Sequence, residues 1–450
     1  MSESLTTPRL PHGIQNAFLF SAFNALSFQV VLGSPMVLYA KGLGARATVL
    51  GIIAGMMPLL VVFQIPAANY INRIGYKRFV LGGWGTRVMF IFAIALVPLG
   101  DRMLGANNQL AVLLVLLFCF NLSRGISSCA WLPWITGLIP ADVRGHYLAR
   151  DQGMLNFASF ITFLISALLL GDTPGPWRFA ALFAFSAISG AISLIFLKRI
   201  PDVPVPEETV KSTTRVPWLA MLRHPPFWKL IRAVVAWSIA YGGMTAFTVA
   251  FLKGKADLPD DKILMITSVS FLGGLSSLWF LGARLDHLGS KPVMTFALAA
   301  WLAVMGGWLA LAGGALATAL LPVLTLEFLM GLLAALMTMA TNRLAMAVIP
   351  VMGRNHFFAL YSVLGSVTLG LAPIGWGVLI DAVGSRHPQW LGLDWNRYTV
   401  FFAAVAAAFG VTLALARRLQ EPAAASMEAL LKDLFAQSRR FFLLRFWPRS

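Results

Sequence analysis

The segment IPADVRGHYLA, from Ile139 to Ala149, is a charged, glycine-broken interruption between two long apolar runs. A second segment, IPVMGRNHFFA from Ile349 to Ala359, repeats much of it. At one constant spacing, the alignment sets Pro140, Arg144, His146, Tyr147 and Ala149 against Pro350, Arg354, His356, Phe357 and Ala359. Another pair of segments, NRIGYKR from Asn72 and DHLGSKP from Asp286, recurs at nearly the same spacing. Two matches at nearly one offset indicate an internal duplication.

The composition of the chain is that of an integral membrane protein. Of its 450 residues, 58% are hydrophobic and 12% are charged, and this charged share is about half of that in a soluble domain. The formal net charge of +17 comes from basic residues in short turns. Because they form no basic block interleaved with aromatic residues, nucleic acid is not an expected partner. The first apolar segment has no small-residue cleavage site, so we expect an uncleaved first span.

Twelve apolar runs are long enough to cross a bilayer as helices, since about 20 residues span its hydrocarbon core. The predicted runs are Ile14 to Ala40, Ala47 to Ile71, Phe79 to Gly100, Leu110 to Ile139, Met154 to Gly171, Phe179 to Leu197, Ala233 to Leu252, Ile263 to Ala283, Pro292 to Ala312, Ala315 to Thr341, Phe357 to Ile380 and Tyr398 to Ala416. The sequence therefore predicts an all-α membrane fold of two six-helix bundles, related by a pseudo-two-fold axis along the membrane normal.

The boundaries of the halves follow from a stretch rich in proline and charge, KRIPDVPVPEETVKSTTRVPW, between the sixth and seventh runs. The expected parts are an N-terminal half, 1–198, a cytoplasmic linker, 199–226, a C-terminal half, 227–418, and a basic amphipathic cytoplasmic tail, 419–450. The tail is expected to lie along the membrane surface or to pack on the inner face of the protein itself.

The distribution of lysine and arginine indicates the orientation in the membrane. With both termini in the cytoplasm, the predicted inner loops hold most of the basic residues, as the positive-inside rule requires. An even number of runs separates the repeats, so both copies enter the membrane in the same direction and the repeated loops face the cytoplasm. We therefore expect a multi-pass protein of the cell (inner) membrane.

The chain resembles the major facilitator superfamily in three features: six plus six runs, a central linker, and a glycine-basic loop after the second and eighth runs. The signature loop of that family runs roughly G-x-x-x-D-R-x-G-R-K, and the resemblance implies that it latches helices on the cytoplasmic side. The alternative is turn chemistry with positive-inside charge. The predicted gating residues are Asn72, Arg73, Gly75 and Lys77 in the first copy, Gly282, Asp286, Gly289 and Lys291 in the second, and Arg144 and Arg354 in the other repeated loops. An amide at position 72 replaces the family's carboxylate, so we expect a weaker latch in the first half.

A few polar side chains interrupt the apolar runs and indicate a binding cavity. Arg124 lies in the fourth run, where a charge facing lipid costs about 3 kcal/mol, so we expect it to face protein or water. Asn121 and Ser128 share its helix face. The remaining substrate-contact candidates, for each of which a hydrogen bond between helices is an equal alternative, are Asn24, Gln29, Gln64 and Asn156.

Glu327 is the acidic residue predicted to lie deep within a span, the tenth. Because intramembrane carboxyl groups mark ion pathways, it is the candidate for coupling transport to a proton. The alternative is a structural ion pair with Arg124. By contrast, Arg87, Arg232 and Arg343 lie nearer predicted span ends, and we interpret them as anchors whose head groups reach the interface.

The sequence lacks the motifs GxxxxGK[ST], HExxH and GxSxG, and its histidines lack metal-ligand spacing. No cofactor, metal site or enzymatic activity is therefore expected. We interpret the chain as a monomeric, lipid-embedded secondary transporter that moves a small polar solute, anions included, by proton-coupled alternating access. The open alternatives are an efflux transporter of a drug or metabolite by proton antiport, and a non-transporting membrane sensor or intramembrane enzyme on the same fold.

Overall fold

A computed structural model describes residues 13–139, 144–204, 225–281, 289–348, 354–385, 388–390 and 392–419. We refer to the described residues up to 204 as the first half and to those from 225 onward as the second half. Most of the predicted linker (205–224) and nearly all of the predicted tail (420–450) lie outside the described residues. The same is true of Gly282 and Asp286 in the predicted gating loops.

The first half is helical throughout its described length. Its α-helices are α1 (Gln15–Leu32), α2 (Ser34–Gly42), α3 (Ala47–Leu59), α4 (Gln64–Ile74), α5 (Tyr76–Leu96), α6 (Ala106–Ser128), α7 (Trp131–Leu138), α8 (Arg144–Leu170) and α9 (Pro176–Arg199). Short 3-10 turns, Leu60–Phe63 and Val97–Arg102, follow α3 and α5.

The second half repeats this plan. Its α-helices are α10 (Pro225–Tyr241), α11 (Met244–Gly254), α12 (Asp260–Leu281), α13 (Ser290–Ala312), α14 (Leu320–Val348), α15 (Arg354–Val383) and α16 (Arg397–Arg417). A two-stranded antiparallel hairpin, β1 (Gln389–Trp390) with β2 (Leu393–Asp394), lies between α15 and α16. The predicted all-helical character is thereby confirmed for the described residues.

Eleven of the described helical stretches are long and apolar enough to span a membrane, and they correspond to eleven of the predicted runs. The predicted run from Ile263 to Ala283 forms α12, which is not among the eleven. That helix carries several serine and threonine residues, and two of them, Thr267 and Ser270, line the cavity described below. This helix therefore has a polar, cavity-facing side.

Several runs that were predicted as continuous are broken in the structure. The first run bends at Gly33, between α1 and α2, and the fourth is divided between α6 and α7. The seventh run breaks at Gly243, whose φ of 82° lies in the left-handed region that favours glycine. Hydropathy reports the length of an apolar stretch but not its bends, so these breaks were not predicted.

The two repeated glycine loops share one backbone conformation. Gly75 has φ 84° and ψ 154° immediately before α5, and Gly289 has φ 83° and ψ 163° immediately before α13. A side chain strains the backbone at such angles, so glycine is required at both turns. The structure thus supports the alignment of these two loops.

Packing within each half follows the same scheme. In the first half α1 packs on α8 and α9, and α5 packs on α6 and α9. In the second half α10 packs on α15 and α16, and α13 packs on α14 and α16. Between the halves, α3 packs along α15, α8 along α12, and α2 against α11. These three contacts surround a space between the halves.

Candidate functional site

A cavity of about 890 Å³ lies between the two halves, a volume typical of small-molecule sites. The first half contributes side chains of α1, α2 and α8, and the second half those of α10, α11, α12 and α14. The polar residues of its wall are Gln29, Ser34, Asp151, Gln152, Asn156, Tyr241, Thr245, Thr267, Ser270, Glu327, Thr338 and Asn342. The cavity therefore combines many hydrogen-bonding groups with an apolar frame.

The charged groups of this wall are two carboxyl groups, Asp151 and Glu327; no Lys, Arg or His occurs among the described residues that line it. Glu327 on α14 is 3% exposed, and Tyr241 on α10 lies near it. Asp151 on α8 is half-buried and lies near Ser21 of α1. The wall is thus acidic, which opposes an anion and suits a neutral or positively charged solute.

Two predicted amide residues lie on the cavity wall. The Gln29 amide nitrogen donates to the Ser159 hydroxyl at 2.8 Å, and this bond joins α1 to α8 below the cavity surface. Asn156 lies on α8 opposite Gly274 of α12, where an added Cβ would lie 3.8 Å from its amide nitrogen. Both residues are therefore positioned to contact a solute, and their binding role stays a prediction.

The predicted residues around Arg124 lie elsewhere, within the first half. Arg124, Asn121, Ser128, Gln64 and Asn24 are not among the residues that line the cavity. The Gln64 amide nitrogen donates to the Ser128 hydroxyl at 2.6 Å, and the Asn121 amide donates to the carbonyl of Leu117 on its own helix at 2.9 Å. The Gln64 contact is a hydrogen bond between helices, which is the alternative given for this residue in the sequence analysis.

Arg124 is close to a second arginine. It is partly exposed, its guanidinium has no hydrogen-bond or ion-pair partner among the described residues, and its charge acts on Arg87. The two ion pairs between described side chains join Lys253 to Asp260 and Lys255 to Asp394. Arg124 and Glu327 therefore form no ion pair in this structure.

Arg87 is buried, and its interpretation as an interfacial anchor is wrong. It is 3% exposed, its guanidinium carbon lies 4.8 Å from the ring centre of Trp84 and 5.3 Å from that of Phe120, and it donates to the Asn24 amide oxygen at 3.2 Å. Sequence position relative to a span end did not reveal this, because α5 begins at Tyr76 and places Arg87 mid-helix. Aromatic faces and one amide thus replace water around the charge.

Asp151 was missed by the sequence analysis. The fifth run was predicted to begin at Met154, whereas α8 begins at Arg144 and carries Asp151 into the cavity wall. The cluster of charged residues between 144 and 151 resembles a loop in a hydropathy profile. Because α8 extends beyond the apolar run, hydropathy alone does not assign Asp151 to this helix.

The predicted gating residues are described only in part. Asn72 and Arg73 lie at the end of α4, and Lys77 on α5 donates to the carbonyl of Ile200 at 2.8 Å, where α9 ends. A basic side chain at this position satisfies a free carbonyl at the end of a helix. The side chains of Asn72, Arg144 and Arg354 lie outside the described residues, so their gating role stays a prediction.

One end of the cavity is closed. The residues from Met36 to Ala40 on α2 are each at most 5% exposed, and this helix packs against α11. At the opposite end, Asp151 near the start of α8 and Asn342 near the end of α14 still belong to the cavity wall. The cavity therefore extends toward the end at which the repeated loops lie.

Comparisons with known proteins agree with this architecture. The family model described as Major Facilitator Superfamily matches residues 17–324, whereas no curated protein matches the sequence. Among solved structures, a D-xylose-proton symporter superposes with a TM-score of 0.70 at 12% identity, covering 91% of this chain and 98% of that chain. The nucleoside transporter NupG superposes with a TM-score of 0.62 at 12% identity, covering 90% of this chain and 98% of that chain. A POT family transporter in complex with 5-aminolevulinic acid superposes with a TM-score of 0.67 at 14% identity, covering 91% and 97%. At these identities the likeness shows the fold.

Proposed function

Since this chain belongs to the major facilitator superfamily, and is therefore a multi-pass membrane transporter and not an enzyme, we propose that it moves a small polar solute by proton-coupled alternating access. The observation that carries the proposal is the cavity between the halves, with its buried carboxyl group and its many hydrogen-bonding side chains. A site enclosed between two repeated bundles suits a cycle in which the bundles rock about it.

The proposed architecture has twelve spans in two six-helix bundles, 1–198 and 227–418, related by a pseudo-two-fold axis along the membrane normal. Its support is the matched conformation of Gly75 and Gly289 and the same pairing of helices in both halves. We count α12 as the twelfth span, since it packs between α8 and α14. The segments 199–226 and 419–450 serve as a linker and a surface tail.

In the proposed orientation, the protein lies in the inner membrane of the cell with both termini in the cytoplasm, because the predicted inner loops hold most of the basic residues. In this orientation the repeated loops face the cytoplasm. The closed end at α2 and α11 then faces outward, and the cavity extends toward the cytoplasm. On this proposal, the structure represents an inward-facing state of the transport cycle.

The proposed solute is neutral or positively charged. The anionic solutes included in the sequence prediction depended on Arg124, which is not among the residues that line the cavity, whereas Asp151 and Glu327 are. A carboxylate attracts a cation and repels an anion at short range. Amide and hydroxyl groups of the wall suit the hydroxyl or amino groups of such a solute.

Proton coupling is proposed for Glu327. Its carboxyl group is buried on the cavity wall, where a bound proton or a cation can neutralise it. A likeness in fold to a D-xylose-proton symporter is consistent with this role. Coupling through the same cavity that holds the solute links the two binding events thermodynamically.

The proposal is tested with the purified, full-length protein. Thermal stabilisation is measured for matched panels of neutral, cationic and anionic small solutes, and each stabilising solute is then tested for uptake into liposomes under an imposed pH gradient. We expect stabilisation by neutral or cationic solutes and uphill uptake driven by the gradient. Stabilisation confined to anions would contradict the solute class, and the absence of gradient-driven uptake for every stabilising solute would contradict proton coupling.

A further inference from the structure

Asp381, in the last turn of α15, binds the first turn of α3 in the other half. Its carboxylate accepts hydrogen bonds from the backbone amides of Ala47 at 3.1 Å and Thr48 at 2.8 Å, and from the Thr48 hydroxyl at 2.6 Å. The residue before α3, Arg46, makes no side-chain cap, and the first turn of α3 contains no acidic residue. The free amides at the start of α3 are therefore satisfied from the second half of the molecule.

The backbones of α3 and α15 approach closely beside this contact. One turn before Asp381, a Cβ added to Gly377 would lie 2.5 Å from the carbonyl oxygen of Ala47. Farther along the same pair of helices, a Cβ added to Gly51 would lie 2.2 Å from the carbonyl oxygen of Pro373. The glycines thus let α15 bring the Asp381 carboxylate onto the start of α3.

Lys41, at the end of α2, adds a second contact between the halves at this end. It lies beside α11, where a Cβ added to Gly254 would be 3.3 Å from its Cε. Its charge acts on Asp381 without a direct ion pair between these two described residues. Arg397, at the start of α16, also lies near Lys41. The Asp381 carboxylate is accordingly the negative centre of a cluster that joins both halves.

We infer that Asp381 is the latch that holds the outer end of the transporter closed, by capping α3 across the boundary between the halves. The inference rests on the proposed function, because a solute can pass this end only when α3 and α15 separate. All three hydrogen bonds of Asp381 must then break in every cycle. Asp381 is a positioning residue: it is not among the described residues that line the cavity, and it acts on the solute through the closure of α3 on α15.

A latch differs from an ordinary helix cap in what it stabilises. A cap within one rigid half stabilises every state of the cycle equally, whereas a cap between the halves stabilises the outward-closed states alone. Loss of the cap therefore raises the population of the outward-open state. If the role of Asp381 were purely structural, its loss would not cause this shift in population.

The test measures access to the cavity from outside. In a background with Cys119→Ser and Cys129→Ser, a single cysteine is introduced by Ala335→Cys on the cavity wall. Cells or oriented vesicles are then treated with a membrane-impermeant thiol reagent. We expect Asp381→Ala to increase the labelling rate from outside by about five- to tenfold, because the free energy of a helix cap corresponds to a change of about that size in an equilibrium constant. Asp381→Asn keeps one acceptor oxygen and is expected to give a smaller increase.

The matched control is Asp394→Asn. Asp394 is also an acidic residue near this end, but its ion-pair partner Lys255 lies in the same half, so its loss is expected to leave labelling unchanged. Should Asp381→Ala fail to fold, Thr48→Val removes a single hydrogen bond of the latch and is expected to raise labelling about threefold. Folding of each variant is verified by size-exclusion chromatography.

Each result decides the inference. Higher labelling in the Asp381 or Thr48 variants, with the Asp394 control unchanged, would support the latch. Unchanged labelling in folded Asp381 variants, or an equal rise in the Asp394 control, would overturn it. Uptake by the unmodified protein is measured in parallel: if uptake is normal and labelling is unchanged, the latch alone fails, whereas absence of uptake for every solute indicates that the proposed function fails.

Discussion

Glu327 and Asp151 are both carboxyl groups of the cavity wall, but they differ in their surroundings. Glu327 is buried at 3% exposure, whereas Asp151 is half-buried near the end toward which the cavity extends. The more completely a carboxylate is withdrawn from water, the more it depends on a proton or a bound cation for its neutralisation. Glu327 is therefore the residue whose charge state is expected to follow the transport cycle.

Neutralisation of Glu327 tests this expectation. Glu327→Gln keeps the size and the hydrogen-bonding groups of the side chain but cannot exchange a proton. A gradient of one pH unit can support about tenfold accumulation per coupled proton, and we expect the variant to lose this accumulation in liposomes while solute exchange at equal concentrations persists. Asp151→Asn serves as the comparison and is expected to retain gradient-driven uptake. Uphill uptake by Glu327→Gln at the unmodified rate would reject the role of Glu327.

Arg87 is a buried charge that has no carboxylate partner in the described part of the chain. Asn24 accepts hydrogen bonds from both Arg87 and Trp84, so Asn24→Ala leaves the guanidinium without that acceptor. A lost hydrogen bond to a buried charge costs about 2 kcal/mol, and we expect a correspondingly lower unfolding midpoint in detergent. In the background of Arg87→Met the same change should cost much less. An equal cost in both backgrounds would show that Asn24 does not stabilise the charge of Arg87.

The candidate site could be predicted from sequence only where a polar residue interrupts an apolar run. Glu327, Gln29 and Asn156 stood out in this way, and all three lie on the cavity wall. Asp151 could not be recognised, because hydropathy ends the fifth run before it. Arg124 was recognised as an embedded charge, but the direction of its side chain depends on the rotation of α6 against its neighbours, which a single sequence does not report.

At the scale of elements, the positions of most membrane-spanning helices were predictable, whereas their bends, their extension beyond the apolar runs and their contacts were not. The sequence GLAPIGWG, from Gly370 to Gly377, places small residues and a proline within one helix, a pattern typical of close helix approach. The structure identifies that helix as α3, with a Cβ at Gly377 only 2.5 Å from the Ala47 carbonyl oxygen. The identity of the neighbour depends on how the two halves meet, and a sequence pattern within one helix cannot supply it.

Two glycines of α15 provide a matched test of this approach. A methyl group at Gly377 would overlap the backbone of α3, whereas one at Gly375 meets no atom within 4 Å. We expect Gly377→Ala to destabilise the inward-facing protein by about 1–3 kcal/mol, and Gly375→Ala to be neutral or to stabilise it by up to about 1 kcal/mol. Unfolding midpoints in detergent measure both effects. Equal midpoints for the two variants would contradict the close packing of α3 on α15.

At the scale of the whole molecule, the duplication visible at Ile139 and Ile349 accounts for the location of the site. In the proposed architecture, two copies of one bundle face each other across a cavity that is closed at one end by α2 with α11 and by α3 with α15. The hydrogen bonds of Asp381 span that closed end. The predicted gating loops lie at the other end, where their role in holding the halves together stays a prediction.

The most direct measurement of alternating access is a pair of distances across the two ends. Spin labels at Asp172 and Thr318, both exposed and in different halves, report on the outer end, and labels at Lys198 and Arg417, also exposed, report on the cytoplasmic end. The labels are introduced as cysteines in the Cys119→Ser, Cys129→Ser background, and distances are recorded by pulsed electron resonance across pH and with a stabilising solute. We expect reciprocal changes, with the outer distance increasing as the cytoplasmic distance decreases. Two distances that stay constant, or that increase together, would contradict a transporter whose halves rock about the cavity of Glu327.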